Sequence, residues 1–406
     1  MDNYVLADAV RFIGFHHSCG RPTDRDSRGQ FAGSKQTETA SLFFRLRRGS
    51  CHLASSFKSF PADAGHRTAL YAKMRIVNTA IIGAGGWGTA LASLWAKNGR
   101  HIVLCGHNAD RIARMQKARE NSDYLPGLQL PDSVYITPEL SDCADADLIV
   151  LATPSTALRN ITAHLAKVIG LTHAVLLSCT KGIEHGSGMR MTEILREIFP
   201  ENKIAVLSGP NLATEVARDL PTATVIACDD GDCAASLQTT LGSPRFRIYT
   251  SLDVVSIELG GALKNVFAIA VGISDGLGLG DNAKAALVTR SLAELVRFGV
   301  AMGGTANAFY GLSGAGDLIL TCYSERSRNH SVGKRLGRGE ALPEITASMK
   351  MVAEGIATAR SAWDCARRLN IGTPITDQVY SILYQQKKPA VALEELLKRE
   401  PKPEQA

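Results

Sequence analysis

The feature that most constrains this chain is a glycine-rich segment, GAGGWG at residues 83–88, set directly between a strand-like run and a helical one. In that context a G-x-G-x-x-G segment is typical of dinucleotide-binding βαβ units. Gly83 permits the tight turn, Gly85 lets a pyrophosphate approach the backbone, and Gly88 lets the helix pack closely on the strand. The N–H groups that begin the helix would bind the phosphates. We therefore expect a dinucleotide site here, with a purely structural glycine turn as the alternative.

The pattern of apolar runs along the chain indicates the fold class. From residue 74 to about 251, short runs typical of buried strands alternate with helical segments, which predicts a mostly parallel, doubly wound sheet of the α/β class. These runs are VNTAIIG, HIVLCG, ADLIVLAT, AVLLSCT, IAVLSGP, TVIACDD and RFRIYTS. After about residue 255 the remaining periodic runs are helical. We expect a dinucleotide-binding Rossmann domain at residues 74–258, an all-α substrate-binding and catalytic domain at 259–398, and a tail at 399–406.

The first 73 residues differ in composition from the rest. They hold 11 Lys and Arg against 6 Asp and Glu, and so carry +5 of the net charge of +6. A polar, non-periodic stretch of this kind is typical of disorder. Residues 39–62 lack acidic residues and are rich in Ser and Arg, as in an organellar transit peptide, but four Asp in residues 1–26 argue against such a signal at the N-terminus. We expect a disordered, dispensable extension or an over-extended start at residues 1–73, with the functional start near Met74. The alternative is a short basic amphipathic helix at Ser41–Leu53 that docks on the rest of the protein or directs it to an organelle.

Composition excludes several classes of function. The other 333 residues carry a net charge of only +1, which gives no basis for nucleic-acid binding. The longest uncharged apolar run, near residues 266–273, is too short for a membrane span, so no integral membrane segment is expected. The nine cysteines are scattered, without a C-x-x-C pair, which is typical of reduced thiols rather than of disulfides or a zinc site. We expect no metal and a cytoplasmic location.

The tip of the second predicted strand bears on the choice of cofactor. An NAD-specific site usually has Asp or Glu there to bind the ribose hydroxyls. Here the tip is Gly106, His107 and Asn108, with Arg111 following, and such neutral and basic groups favour a 2′-phosphate. We expect NADPH to be preferred, with NADH as the alternative. We interpret Asp110 as the N-cap of the next helix.

A single lysine, Lys264, interrupts the apolar helical run IELGGALKNVFAIAVGI. Its neighbours three and four positions away carry no carboxylate, so no residue of the same helix can pair with it. The preceding Gly260 and Gly261 each cost roughly 1 kcal/mol in a helix, which suggests that something approaches the backbone closely. A lysine that extends its ammonium to water is the simpler alternative. We expect a cofactor and a small substrate to fit against this helix.

Four further stretches place polar residues at strand ends or in glycine-rich loops. They are SCTKGIE with Lys181, LSGPNLA with residues 208–213, GLSGAGDLILTC with Asp317, and SERSRNHSVG with residues 327–329. Each alone has a structural interpretation, as a loop lysine, a helix cap or a solvated turn. A basic nucleic-acid patch at the last of them is disfavoured because it lacks interleaved aromatic residues.

Together these motifs resemble one known family. In chain order, GAGGWGTALA, SCTKG, SGPNLA, ELGGALKN, SDG, GLSGAGDL, SRN and VAEG resemble the soluble bacterial type of NAD(P)-dependent glycerol-3-phosphate dehydrogenase over about residues 74–395. The resemblance implies an N-terminal Rossmann domain, a C-terminal helical domain and an active site between them. It implies reversible NAD(P)H-dependent reduction of dihydroxyacetone phosphate to sn-glycerol 3-phosphate, which supplies glycerophospholipid synthesis. It leaves a homodimer open.

The resemblance also implies roles for individual residues. Lys264 would exchange the proton, with Asp317 orienting Lys264 or a substrate hydroxyl and Asn265 fixing the polar groups beside it. The implied substrate contacts are Lys181, Gly209, Asn211, Asp317, Ser327, Arg328 and Asn329. The implied cofactor contacts, with the fingerprint glycines, are Gly83, Gly85, Gly86, Trp87, Gly88, His107, Tyr124, Lys181, Ala213, Arg328, Val352 and Glu354. The chain departs from the family at Asn211, where Thr or Ser is frequent, and at Cys105, where Trp or Tyr is frequent.

Two other functions fit parts of the pattern. A two-domain dehydrogenase acting on a hydroxyacid would share the architecture, but the joint presence of GGALKN, GAGDL and SRN disfavours it. A non-catalytic dinucleotide sensor would be expected to have lost Lys264, Asp317 or Arg328, and all three are present.

We predict that a chain beginning at Met74 retains the melting temperature and the activity of the full-length protein. Segments too polar to bury apolar surface cannot offset their own ordering entropy and rarely contribute to a core. The two chains are compared by thermal denaturation and by kcat/KM. A melting temperature lowered by several degrees would show that the first 73 residues make structural contacts.

Overall fold

The computed structural model describes residues 76, 78–170, 172–349, 351–401 and 403–404. These residues belong to one compact unit. The disordered extension expected at residues 1–73 lies outside the described residues, as do Lys402, Gln405 and Ala406 of the expected tail. The disorder expected for residues 1–73 therefore stays a prediction.

Eight strands form one sheet in the first half of the described chain. In chain order they are β1 (Asn78–Ile82), β2 (His101–Cys105), β3 (Val134–Thr137), β4 (Leu148–Leu151), β5 (Val175–Ser178), β6 (Ile204–Ser208), β7 (Thr222–Cys228) and β8 (Phe246–Ser251). Their order in the sheet is β3-β2-β1-β4-β5-β6-β7-β8. Every neighbouring pair is parallel except β6 and β7, which are antiparallel. The mostly parallel, doubly wound sheet expected from the sequence is confirmed.

Burial explains which strands could be recognised in the sequence. The central strands are covered on both faces, with Ile81, Val150 and Leu177 inaccessible to solvent, and such strands are apolar throughout. The edge strand β3 was not expected from the sequence. It has only four residues, and its Tyr135 side chain is exposed, so it shows no continuous apolar run.

Six helices lie among the strands. They are α1 (Gly86–Lys97), α2 (Ala109–Ala118), α3 (Leu158–Ile169), α4 (Met191–Ile198), α5 (Ala213–Ala217) and α6 (Gly231–Leu241). The cap of α2 differs from our interpretation, because Asn108 and not Asp110 is its N-cap. The Asn108 Oδ1 accepts a hydrogen bond from the Arg111 N–H at 2.8 Å. Asp110 lies in the first turn, and since Asn and Asp cap helices equally well, spacing alone could not separate them.

The rest of the described chain is helical. It comprises α7 (Val254–Gly276), α8 (Gly280–Ala301), α9 (Asp317–Tyr323), α10 (Arg328–Gly337), α11 (Leu342–Ala347), α12 (Glu354–Arg368), α13 (Pro374–Tyr384) and α14 (Pro389–Leu397). A π-helical turn, Leu312–Gly316, leads directly into α9. This agrees with the predicted helical C-terminal domain. The domain boundary expected near residue 258 falls inside α7.

Helix α7 is the centre of the helical region. It is 23 residues long, and α8, α9, α10, α12 and α13 pack around it. Within the described residues it is the one helix with the length and apolar composition of a membrane span, and 89% of that window is buried inside the protein. Its burial on all sides accounts for its apolar composition, so a polar side chain within α7 needs a partner from another element.

Helices α7 and α10 approach each other through glycines on both. A Cβ built on Gly272 would overlap the His330 carbonyl oxygen, and one built on Gly333 would overlap the Ile269 carbonyl oxygen. The two backbones are therefore in direct contact. This contact brings the start of α10, with Arg328, next to the helix that carries Lys264.

A buried carboxylate joins α7 to the sheet region. Glu258 accepts hydrogen bonds from Arg190 Nη1 at 2.9 Å, from the Thr192 N–H at 2.8 Å and from the Thr192 hydroxyl at 2.7 Å. Burial raises the pKa of Glu258, and the charge of Arg190 opposes this. Because Arg190 and Thr192 flank the first residue of α4, the contact ties the start of α7 to the helices that cover the sheet.

We predict that Gly272→Ala destabilises the protein by about 1–3 kcal/mol, because the added methyl group must displace the backbone of α10. Gly372→Ala is the matched control, since no atom lies within 4 Å of a Cβ built there. Urea denaturation measures both. Equal stabilities of the two variants would contradict the close packing of α7 and α10.

Candidate active site

A cleft of about 1020 Å³ opens at the carboxyl ends of the parallel strands, between the sheet and the helical region. Most residues expected at the site line it. These are Gly83, Gly85, Gly86, Trp87, His107, Tyr124, Lys181, Asn211, Ala213, Lys264, Asn265, Ser327, Arg328, Asn329, Val352 and Glu354. Gly88, Gly209 and Asp317 lie behind its wall. The structure thus brings together residues from both regions of the chain, as expected for a ligand held at the ends of parallel strands.

The glycine loop between β1 and α1 is shaped for close approach. Gly83 has φ +118°, and a Cβ there would lie 2.5 Å from the Ala152 carbonyl oxygen. A Cβ on Gly88 would overlap the Gly83 carbonyl oxygen, whereas one on Gly85 would meet no atom within 4 Å. Gly83 and Gly88 therefore serve backbone packing. Gly85 leaves open space at the N-terminus of α1, which fits the pyrophosphate of a dinucleotide.

Asn121 supports this loop and was not identified from the sequence. Its buried Nδ2 donates to the Ala84 carbonyl oxygen at 3.1 Å and to the Thr89 hydroxyl at 2.7 Å. Asn121 therefore connects the glycine loop to the first turn of α1. Its only sequence signal is its position three residues before Tyr124, which lines the cleft.

The opposite wall joins the two regions through Ser155 and Glu354, and Ser155 too was not identified from the sequence. Ser155 Oγ donates to Glu354 Oε2 at 2.5 Å, and its backbone N–H donates to Oε1 at 3.3 Å. Burial raises the pKa of Glu354, and these hydrogen bonds oppose the rise. Nearby, Thr153 lines the cleft, and its buried hydroxyl has no hydrogen-bond partner among the described residues. A ligand with polar groups fits such a wall.

Lys264 is paired deep in the cleft wall. Its Nζ contacts Asp317 Oδ1 and lies 2.8 Å from the Thr321 hydroxyl. The other carboxylate oxygen of Asp317 accepts from Lys181 Nζ at 2.6 Å, and Lys181 also donates to the Gly209 carbonyl oxygen at 3.2 Å. One carboxylate is thus shared by two lysines. The structure excludes a lysine whose ammonium simply extends into water, because Lys264 is only 7% exposed.

The protonation of Lys264 follows from this setting. Burial lowers its pKa to about 8; the nearby charge of Asp317 opposes the fall, and that of Lys181 adds to it. An amine with a pKa near neutrality exchanges a proton readily in either direction. Thr321 was not identified from the sequence, although it lies four residues after Asp317 and so on the same face of α9.

The glycines beside Lys264 have a different role from the one we expected. A Cβ on Gly260 would lie 2.7 Å from the Ser313 carbonyl oxygen, and one on Gly261 would overlap the Ser208 hydroxyl. Neither glycine lines the cleft. They let the π-helical turn and the end of β6 pack against α7, and it is protein backbone, not ligand, that approaches here.

The polar residue after Lys264, Asn265, and the polar residues that begin α10 are fixed by hydrogen bonds to side chains and backbone groups. Asn329 Nδ2 donates to Asn265 Oδ1 at 2.8 Å, and the Gly355 N–H donates to Asn329 Oδ1 at 2.9 Å. Arg328 Nη1 donates to the Val352 carbonyl oxygen at 2.7 Å. Burial lowers the pKa of Arg328 and the nearby charge of Glu354 opposes this, although no carboxylate of the described residues lies within ion-pair distance of it. Its remaining N–H groups fit an anionic ligand.

Asn211, one of the two departures from the family pattern, is bound within the protein. Its Oδ1 accepts from the Thr224 hydroxyl at 3.0 Å, and its Nδ2 points to the Ala223 carbonyl oxygen at 3.4 Å. Cys105, the other departure, lines the cleft at the end of β2. Among the described residues, no group of three or more His, Cys, Asp or Glu side chains is arranged to hold a metal ion.

Most of the chain is similar to known proteins. Family models described as the N-terminus and the C-terminus of NAD-dependent glycerol-3-phosphate dehydrogenase match residues 78–234 and 253–394. A glycerol-3-phosphate dehydrogenase (NAD(P)+) from Syntrophotalea carbinolica is 46% identical over 336 residues, which cover 81% of this chain and 99% of that protein. One from Streptomyces coelicolor is 46% identical over 331 residues, covering 81% of this chain and 98% of that protein. A crystal structure of glycerol-3-phosphate dehydrogenase from Coxiella burnetii superposes with a TM-score of 0.77 at 36% identity, covering 80% of this chain and 99% of that one.

We predict that Lys264 titrates near pH 8 and that Asp317→Asn lowers its pKa by about one unit or more, because the charge that favours the ammonium is lost. The ε-carbon resonance of isotopically labelled lysine reports the titration. Thr321→Val is the matched control, since it removes a neutral partner of the same ammonium. A higher pKa in Asp317→Asn would contradict this account of the cluster.

Proposed function

Because this chain belongs to the NAD-dependent glycerol-3-phosphate dehydrogenase family, we propose that it reversibly reduces dihydroxyacetone phosphate to sn-glycerol 3-phosphate. It is an oxidoreductase that uses a nicotinamide cofactor and acts on a small-molecule substrate. The observation that carries the proposal is the pair of lysines, Lys181 and Lys264, held in the cleft wall by the single carboxylate of Asp317. Reduction of a ketone requires a proton donor at its carbonyl oxygen and positive charge beside that oxygen, and this pair of lysines can supply both.

The nicotinamide supplies the hydride for C2 of the ketone and accepts it in the reverse direction. Lys264 gives the C2 oxygen its proton during reduction and takes it back during oxidation. Asp317 and Thr321 hold the Lys264 Nζ at the required position. Lys181, beside it, provides positive charge where the oxygen gains negative charge during the reaction.

The phosphate of the substrate binds at the start of α10 in this proposal. Arg328 is its main partner, because a guanidinium matches two phosphate oxygens and, although the charge of Glu354 acts on it, no carboxylate of the described chain lies within ion-pair distance. Ser327 and Asn329 flank it, and the backbone there is fixed by the contact of α10 with α7. This arrangement supports selection for phosphorylated three-carbon substrates.

We place the reaction in the cytoplasm, as the supply of sn-glycerol 3-phosphate for glycerophospholipid synthesis. NADPH is the preferred cofactor and NADH the alternative, because no Asp or Glu stands at the tip of β2. A homodimer stays an open alternative to a monomer, and sedimentation velocity measures the mass in solution.

The direct test is oxidation of NADPH and of NADH with dihydroxyacetone phosphate, compared with unphosphorylated dihydroxyacetone and with short 2-oxoacids. We expect turnover with the phosphorylated ketone and a higher kcat/KM with NADPH. Faster turnover of a 2-oxoacid would replace the proposed reaction by that of a hydroxyacid dehydrogenase. Cofactor binding without turnover of any substrate would favour a dinucleotide sensor.

We predict that Lys264→Ala lowers kcat by about 10² to 10⁴ while cofactor binding stays nearly unchanged, because a general acid is lost. Lys264→Met, which keeps the length of the side chain, should behave alike. In the unaltered protein, kcat/KM for reduction should fall above about pH 8 and that for oxidation should fall below it, because only the ammonium donates and only the amine accepts. Retention of a tenth of kcat in either variant would refute the assignment.

We predict that Arg328→Ala raises KM for dihydroxyacetone phosphate more than it lowers kcat, because a charge-assisted, two-pronged contact is lost. Arg328→Lys should restore only part of the loss, since an ammonium lacks the planar fork. Steady-state kinetics with all three proteins measure this. The phosphate role would be wrong if the unaltered protein reduced unphosphorylated dihydroxyacetone equally well.

A further inference from the structure

Arg111 lies at the end of the cleft remote from Lys264, and the proposed reaction does not by itself require it. It is the third residue of α2, its N–H is bound by the cap Asn108, and its side chain lines the cleft. Its guanidinium carbon lies 4.7 Å from the centre of the Tyr124 ring. Its Nε donates to Asp123 Oδ2 at 3.0 Å. The cap, the ring and the carboxylate together fix the direction of this side chain.

We propose that Arg111 recognises the 2′-phosphate of NADPH and that Asp123, paired with it, limits how strongly NADPH is preferred over NADH. The inference rests on the proposed use of a nicotinamide dinucleotide. In dinucleotide domains of this type the adenosine ribose lies at the tip of the second strand, where an arginine accommodates a 2′-phosphate. In this chain β2 ends at Cys105, and the tip residues His107 and Asn108 line the same part of the cleft.

The hydrogen-bond geometry of Arg111 suits this role. Asp123 engages only Nε, and neither terminal nitrogen of Arg111 forms a hydrogen bond to a side chain or carbonyl of the described residues. The edge formed by the two terminal nitrogens matches two oxygens of a phosphate. Tyr124 holds the plane of the guanidinium and leaves that edge free.

Asp123 has a second effect, because its charge opposes that of the phosphate. The hydrogen bond from Arg111 lowers the pKa of Asp123, so the carboxylate is ionised at neutral pH. A 2′-phosphate bound to Arg111 would lie near this carboxylate and be repelled by it. The side chain of Asp123 is 40% exposed, so water screens the repulsion and its effect is moderate.

The neighbouring charged groups define the controls. Arg114 also pairs with Asp123, at 3.1 Å, but its side chain is 61% exposed and it does not line the cleft. Glu139, after β3, is a carboxylate that lines the cleft at this end. Arg114→Met therefore alters the same ion pair without removing the proposed phosphate partner. Glu139→Gln tests the alternative that a carboxylate on the ribose sets the choice of cofactor.

The experiment measures binding of NADPH and NADH to the full chain by their fluorescence, without substrate, and displacement by adenosine 2′,5′-bisphosphate. Arg111→Met should weaken binding of NADPH and of the bisphosphate about 10- to 100-fold, because a hydrogen-bonded charge pair is lost. Binding of NADH should be nearly unchanged. Asp123→Asn should strengthen binding of NADPH about two- to fivefold, because exposed charge interactions are of this size. Binding of NADH should again be unchanged. Arg114→Met should weaken NADPH binding by no more than about twofold and leave NADH binding unchanged, because it leaves the exposed Asp123 carboxylate less neutralised but removes no phosphate partner.

Equal losses for NADPH and NADH in Arg111→Met would overturn the inference, as would a larger change of their ratio in Glu139→Gln or Arg114→Met. Weaker NADPH binding in Asp123→Asn would overturn the role given to Asp123. None of these measurements uses dihydroxyacetone phosphate, so failure of the proposed reaction and failure of the Arg111 assignment are separate results. The ratio is informative whichever cofactor the unaltered protein prefers.

Discussion

The cleft depends on one interaction, the sharing of the Asp317 carboxylate between Lys264 and Lys181. Two ammonium groups and one carboxylate leave a net positive charge, and Asp317 is only 1% exposed. A buried charge is stable only when it is paired, so each of the three groups requires the others. The excess charge is directed at the cleft, where the side chain of Lys181 is 22% exposed. A net positive charge at this position suits an anionic ligand in the cleft.

This cluster also explains the unusual glycines around it. Asp317 and Thr321 reach Lys264 only because the turn Leu312–Gly316 packs directly on α7, and Gly260 permits that contact. Among the side-chain contacts that join this part to the sheet region are that of Glu258 with Arg190 and that of Glu354 with Ser155. The first is deep and fully buried, whereas the second lies at the cleft.

The sequence predicted the fold well where burial is uniform and poorly where it is not. Central strands and the glycine fingerprint carry patterns of their own, whereas β3 is a short edge strand with none. For the site, the expected residues of both regions meet in one cleft, yet the partner of Lys264 could not be deduced from its own helix. Asp317 lies 53 positions away, and only packing decides that it meets Lys264. Gly260 and Gly261 were misinterpreted for the same reason, since a pattern indicates close approach without identifying what approaches.

The charged groups at the two ends of the cleft differ in their exposure to solvent. At Lys264 the charges are buried, so removing one partner leaves another unpaired, and substitutions there should cost far more than the pair itself contributes. At Arg111 the charges are partly exposed and screened, and each substitution should change affinity by a modest factor. The reacting end is therefore intolerant of change, while the adenosine end can be adjusted one residue at a time. We therefore expect substitutions of Asp123 to leave the Lys264 cluster undisturbed, because Asp123 pairs with Arg111 and Arg114 and not with Lys264, Lys181 or Asp317.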